Sequence, residues 1–415
     1  ESNAVINKCE FNNNTATLNG GGMFNSENSN PIVTDVTFSG NRAGQFGGGI
    51  YNKKSSPKIS NSVFNLKNKA QYGAGIYNDD SNAIISGATF LSNEASKSGG
   101  GVYNKESILN IIESSFSENK ASISGGGIYN LSAPLNSKIK KCTFTNNQSS
   151  GTAILDGGGG VYNSDSDMEI SNSTFKQNSA SKLGGGILNI DSIVKIDGCV
   201  FKDKNIADQG GALFNKGLSP QILNSTFESN KATKGGAIFN EDNEPEIASC
   251  IFKNNEATSD GGGIYNNKSA SVITGSTIKE NLAKNGGGIY NYDSNSELIS
   301  STIADNFATN GSGGGIYNSG SDPIIINTLF KSNDASNNGG GIYNSSSSPV
   351  ITNCTFSGRN NADYGGAVCN RSSSSPVIKN TIIWDNQSTS GQRSIDNSSS
   401  TPSVTYSNVQ DGFAG

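Results

Sequence analysis

Histidine is absent from this chain of 415 residues. Its absence excludes a Ser-His-Asp triad, a Cys-His pair and any His-ligated zinc or haem within the chain. Charge is also scarce, at 16% of residues against roughly 25% in an average domain. The net charge is −5 and the pI about 5.0, which argues against a nucleic-acid partner, whose phosphates favour a basic face. No apolar run reaches the roughly 18 residues of a membrane-spanning helix. No signal peptide is visible. The chain opens at Glu1 part-way through a repeat, as a mature or trimmed fragment would. Hydrophobic residues reach only 33%, too few for a conventional globular core of this length.

Glycine is abundant instead, 52 residues, and it is not scattered. Gly-Gly-Gly-Ile-Tyr-Asn or a close variant recurs, its last Asn falling at Asn25, Asn52, Asn78, Asn104, Asn130, Asn163 and onward to Asn370. The step is 25 to 27 residues throughout, with one step of 33. A second string, Thr-Phe-x-x-Asn, keeps the same period, with its apolar anchor at Phe11, Phe38, Phe64, Phe90 and their successors. No repeat has enough apolar residues to bury a face alone, so each must stack on its neighbours. The segments between Gly, Asn, Ser and Pro are short and β-branched, and read as strands. About three short strands in a period near 26 predict one turn of a parallel β-helix. The fold class is therefore all-β: a single right-handed parallel β-helix, its hand following the general preference of parallel crossovers. About 15 to 16 coils are expected in one continuous domain over residues 1–415, truncated at both ends.

One repeat shows the logic. In Pro220 to Phe227, Ile222 and Phe227 both occupy apolar columns, yet five residues separate them, the wrong parity for one straight strand. A corner must lie between, at the position of Asn224, held elsewhere by Asn61, Gly87, Asn172 and Gly198. Asn and Gly tolerate the left-handed conformation a corner needs. The next position points inward and is small: Cys9, Ala88, Ser114, Cys142, Cys199, Cys250 and Cys354. No two of these cysteines fall in adjacent coils, and two coils span about 9.6 Å, so free buried thiols are expected rather than disulfides. In Gly235 to Asn240, Ile238 points inward and Asn240 shares its parity. A buried Asn column requires pairing from coil to coil. Asn-x-Ala forms a third column, as in Asn41-Ala43, Asn93-Ala95, Asn230-Ala232 and Asn255-Ala257.

Gly235 to Ile238, with Phe227 to Asn230, is similar to the paired GGAI and FxxN repeats of chlamydial polymorphic outer-membrane proteins. The fuller form, with Ser-rich turns and P-x-I-x-N-S-T-F, resembles right-handed parallel β-helix repeat proteins on the surface of Bacteroidetes-type bacteria. The tail from Tyr406 to Gly412 resembles the end of the β-helix in such proteins. The resemblance implies an extracellular or outer-surface location and, in many members, adhesion. Partners would then be an extracellular glycan or a cell-surface or secretion-system protein, with no nucleic acid and no transmembrane segment in this chain.

Two functions compete. A non-catalytic, adhesin-like or structural solenoid fits repeats that run without interruption. A polysaccharide lyase or glycoside hydrolase on the same scaffold is the alternative, but it needs a local cluster of acids. Asp165, Asp167, Glu241, Asp242, Glu244 and Glu246 fall in turns; no cofactor is expected, with Ca2+ at these acidic turns the alternative. Arg359, Arg371 and Arg393 gather near Trp384, as a small anion or sugar site would. A Thr rank including Thr37, Thr89 and Thr143 is broken by Val63, Val200 and Ile251, which argues against an ice-binding lattice. The candidate ligand-binding residues are the Tyr column: Tyr51, Tyr77, Tyr103, Tyr129, Tyr162, Tyr265, Tyr290, Tyr317 and Tyr343. These point outward by parity, at a coil spacing close to that of sugar rings; the competing reading is that the rings pack against one another and shield strand edges. No catalytic or metal-ligating residue is assigned. The long step adds seven residues, five of them in Gln148 to Asp156, a second candidate contact region.

Overall fold

A computed structural model describes residues 3–390, 393–410 and 412. The chain is an all-β parallel solenoid of sixteen coils among the described residues. It divides into two compact units, Glu1–Phe214 and Asn215–Gly415, with eight coils in each. One coil of the first unit comprises the strands Lys58–Ser60, Val63–Asn65, Lys69–Tyr72 and Ile76–Asp79. Its counterpart in the second unit comprises Glu246–Ala248, Ile251–Lys253, Glu256–Asp260 and Ile264–Asn267. They are named here the Ile, Phe, Ala and Tyr–Asn strands. Each pairs in parallel with the same strand of adjacent coils, so that Phe38, Phe64 and Phe90 align, as do Ile247 and Ile273.

Fourteen of the sixteen described coils form a further strand where the repeat predicts about three. The addition is the Asn-x-Ala segment, as short as two residues in Arg42–Ala43, Lys120–Ala121 and Leu282–Ala283. Two residues are too few to show alternation, so periodicity alone misses the strand.

Left-handed residues make the corners. Between the Ile and Phe strands stand Asn61 (φ 48°), Gly87 (φ 60°) and Asn224 (φ 49°), at the expected position. After the Phe strand come Ser92 (φ 55°) and Ser229 (φ 58°), and after the Tyr–Asn strand Asp80 (φ 50°) and Asp242 (φ 52°). Each non-Gly corner costs about 1–2 kcal/mol, and the ladders on both sides hold it in place. The remaining corner opens the Gly triplet. At Gly47 (φ 65°) a Cβ would lie 2.6 Å from the Ile50 carbonyl carbon, so only glycine fits.

The core is a set of files running from coil to coil. In the first unit the Phe rings stack from Phe11 to Phe201 with centroids 4.5–4.9 Å apart and planes within 9°. Burying each such side chain contributes about 1.5–3 kcal/mol, a gain realised only when coils stack. The inward Asn residues of the Tyr–Asn strands bond amide to amide, Asn52 Nδ2 donating to Asn78 Oδ1 at 2.8 Å and Asn266 Nδ2 to Asn291 Oδ1 at 2.9 Å. The Asn that precedes each Ala strand is bonded more completely. Asn119 Nδ2 donates to the Phe90 carbonyl and to Asn147 Oδ1, both at 2.9 Å. Its own Oδ1 accepts the backbone N–H (3.1 Å) and Nδ2 (2.9 Å) of Asn93. With donors and acceptors both used, burial of the amide is offset.

One interruption falls beside the long step. Asn104 Nδ2 turns to the Ser107 carbonyl at 2.7 Å, and Asn130 Oδ1 is left buried without a hydrogen bond. Among the described residues no cysteine is bridged to another, and all but Cys9 are buried. Cys9, expected inward, is exposed because it sits in the first described coil. Burial pushes the thiols of Cys142 and Cys354 up to about 11, so they pack as small apolar groups.

Candidate functional site

The Tyr column is not the exposed stripe that parity suggests. In the first unit Tyr51, Tyr77, Tyr103 and Tyr162 are buried, at 4–7% exposure, and Tyr129 is partly buried. In the second, Tyr265 is buried, and Tyr290, Tyr317 and Tyr343 are partly so. The rings do form files, with centroids 4.5–5.5 Å apart from Tyr51 to Tyr162 and 4.7–5.1 Å apart from Tyr265 to Tyr343; all these pairs are stacked except Tyr51–Tyr77 and Tyr317–Tyr343, which are tilted. What the expectation missed is the chain from the end of the Ala strand to the Gly triplet, which folds over the rings. Phe46 lies 4.7 Å from Tyr77 and Tyr72 lies 5.3 Å from Tyr103. Lys234 Nζ sits 5.0 Å above the Tyr265 ring. Desolvation pushes the phenols of Tyr51, Tyr129 and Tyr317 up to about 12. Most of the ring faces are therefore engaged with one another.

The insertion is an ordered turn. Gln148–Ser149 continues the Ala-strand ladder, pairing with Lys120 and Ala121. Beyond it the Asp156 carboxylate accepts the Ala153 N–H at 2.8 Å, and the Asp156 N–H donates to the Ala153 carbonyl at 3.1 Å. Ile154 is 84% exposed at the tip.

Gln148 and Ser150 also line the end of a groove, which reasoning from the sequence overlooked. It runs along the outward face of the Ala strands in the first unit, from Arg42 to Ser150, with a volume of about 520 Å³. Its ridge is the middle residue of Asn-x-Ala, in register across coils: Arg42, Lys69, Glu94, Lys120, Gln148. Glu94 is gripped by Lys69 at 2.8 Å and Lys67 at 3.3 Å, and these bonds hold its carboxyl below the usual range. Arg42 and Lys120 are exposed. The available signal was the x of Asn-x-Ala itself, a position that reads as a spacer until a strand is recognised there.

The acidic turns are largely occupied by neighbours. Glu241 pairs with Lys216 at 2.7 Å, and Glu246 accepts from Gln221 at 2.8 Å. Asp165 accepts the Ser164 hydroxyl at 3.0 Å, and Asp167 the Ile193 N–H at 3.3 Å. Asp242 and Glu244 border a second hollow of about 530 Å³, with Lys268 and Asp293. Among the described residues no three His, Cys, Asp or Glu side chains converge to hold a metal ion. Of the arginines near Trp384, Arg371 pairs with Asp396 at 2.8 Å and lies over the Tyr364 ring. In the tail, Asp411 lies outside the described residues.

Residues 160–333 match the right handed beta helix region family. Two stretches, 35–53 and 113–131, match the Chlamydia polymorphic membrane protein repeat. The solenoid is a parallel β-helix, and within it these stretches are similar to the right handed beta helix region and to the polymorphic membrane protein repeat. No curated protein matches the chain. Among solved structures, the chain is similar to the A-module of the mannuronan C-5 epimerase AlgE6 of Azotobacter vinelandii. Identity is 11%, coverage is 86% of this chain and 91% of that one, and the TM-score is 0.30. A likeness that slight carries no argument about chemistry.

Proposed function

We propose that the chain is a non-catalytic scaffold of the cell surface or extracellular space, adhesin-like, binding a glycan or protein partner through the outward faces of its coils. The groove of the first unit carries this reading: a ridge of charged and amide side chains stands over an interior of fixed Asn and Ala columns. The polymorphic membrane protein repeats support a surface location. Among the described residues no helix is long and apolar enough to cross a membrane. Glycoside hydrolysis uses two carboxylates about 5–9.5 Å apart. The groove is lined by one, Glu94, already paired with two lysines.

The test is to probe a glycan array and intact cells with the full chain, and to assay the bound glycans for new reducing ends or unsaturated sugars. Retention of one glycan class without cleavage is expected. Turnover of any bound glycan would overturn the non-catalytic part, and no retention on glycans or cells would overturn the binding part.

A further inference from the structure

We infer that the groove of the first unit binds a linear acidic polysaccharide in which acidic and neutral sugars alternate. The inference rests on the binding reading above and deepens it by naming the ligand class and the contact residues.

Charge points first. The ridge and its immediate partner supply four cations, Arg42, Lys67, Lys69 and Lys120, against one carboxylate, Glu94, on a chain whose net charge is −5. Arg42 and Lys120 are exposed, and neither forms an ion pair among the described residues. Their charge is free to meet an anion arriving from solvent. A groove of net positive charge raises the local concentration of an opposite polymer.

Spacing points next. The ridge residues are in register, one per coil, at about 4.8 Å. Lys69 and Lys120 are two coils apart, about 9.6 Å, with Glu94 between them. An extended glycan advances by close to one coil per sugar. A polymer acidic at each second sugar places one anion on Lys69 and the next on Lys120, with a neutral sugar between. There the sugar hydroxyls donate to the Glu94 carboxylate. A polymer acidic at each sugar would set an anion against Glu94, which repels it. The groove's second row, with Gln71, Ser96, Ser122 and Ser150, supplies amide and hydroxyl partners for sugar hydroxyls.

Other polyanions fit less well. Single-stranded nucleic acid binds on open aromatic faces as well as cations, and the aromatic file of this unit is closed in on itself. An acidic peptide adds to a sheet through an open strand edge, but the Ala strands that floor the groove pair with neighbours on both sides.

The test measures affinity by titration calorimetry with the full chain. The probes are hyaluronan (alternating uronate and neutral sugar), polygalacturonate (acidic at each sugar), dextran, poly-glutamate and single-stranded DNA. Hyaluronan should bind most tightly. The double variant Lys69→Ala/Lys120→Ala should lose roughly tenfold or more in affinity with nearly unchanged thermal unfolding, since Lys120 is exposed and the Lys69–Glu94 pair lies at the surface, where such pairs add little. Glu94→Gln should narrow the gap between polygalacturonate and hyaluronan. Equal binding of dextran, tighter binding of poly-glutamate or DNA, or no loss in the double variant would overturn the assignment. A wild-type chain that binds another glycan, unaffected by the double variant, refutes this groove while leaving the broader binding reading intact. A chain that binds neither glycans nor cells refutes both.

Discussion

Asn119 in the first unit and Asn306 in the second occupy the same place in their coils, with nearly identical surroundings. Asn306 Nδ2 donates to the Ile278 carbonyl and to Asn333 Oδ1 at 2.9 Å each, and its Oδ1 accepts the N–H and Nδ2 of Asn281. One residue further on, the two units part. The outward position of the Ala strand is Thr15, Arg42, Lys69, Glu94, Lys120, Gln148 and Ser179 in the first. In the second it is Lys231, Glu256, Leu282, Phe307, Asp334, Asn361 and Gln387. Lys231 and Glu256 close on each other at 2.7 Å, and Leu282 and Phe307 are apolar. A shared interior therefore does not imply a shared surface. Stacking constrains the inward residues, and solvent leaves the outward residue of the same strand free to differ.

The largest expected effects test the shared interior. Asn119→Ala and Asn306→Ala each leave several buried groups unsatisfied, at about 1–3 kcal/mol apiece. Each should cost roughly 4 kcal/mol in urea unfolding, and by similar amounts. A loss confined to one variant would break the equivalence of the two interiors. Tyr103→Ser should cost somewhat less, roughly 3 kcal/mol, by removing a stacked ring that is 7% exposed. Affinity for an acidic polysaccharide should persist wherever the variant remains folded. Lost binding with unchanged stability would restore the Tyr column as a contact surface.

A smaller effect appears in alkali. Well below pH 10 the phenols are protonated in folded and unfolded chains alike, and they add no pH dependence. Burial raises Tyr51 and Tyr129 to about 12, so between about pH 10 and 12 the unfolded chain releases protons that the folded chain keeps. Stability should therefore fall as pH rises through that window, with phenolate absorbance lagging that of the unfolded chain. Titration of Tyr51 and Tyr129 themselves near 10 in the folded protein, read residue by residue by NMR, would mean that these rings are open to water.

The contrast also explains what the sequence made legible. The period, the Ile and Phe columns and the corner at Asn61 and Asn224 follow from residue type and parity, because stacking forces the same residue into the same environment in coil after coil. The fourth strand did not follow, since two residues cannot display an alternation. Missing it had two consequences. The residue between Asn and Ala, which forms the charged ridge, passed as a spacer. The chain leaving that strand was not seen to cover the Tyr rings, so Tyr51 to Tyr162 were expected in solvent. Outward positions vary with no period to announce them, and only the registered coils show Lys69, Glu94 and Lys120 as neighbours.

Lysine footprinting tests the account most directly, because both units carry the reporter at the same strand position. The full chain is labelled at its lysines with and without saturating hyaluronan, and each site is read by mass spectrometry. The account predicts that the polymer slows labelling of Lys69 and Lys120 and leaves Lys231 unchanged. Equal protection of Lys231, or none at Lys69 and Lys120, would contradict it.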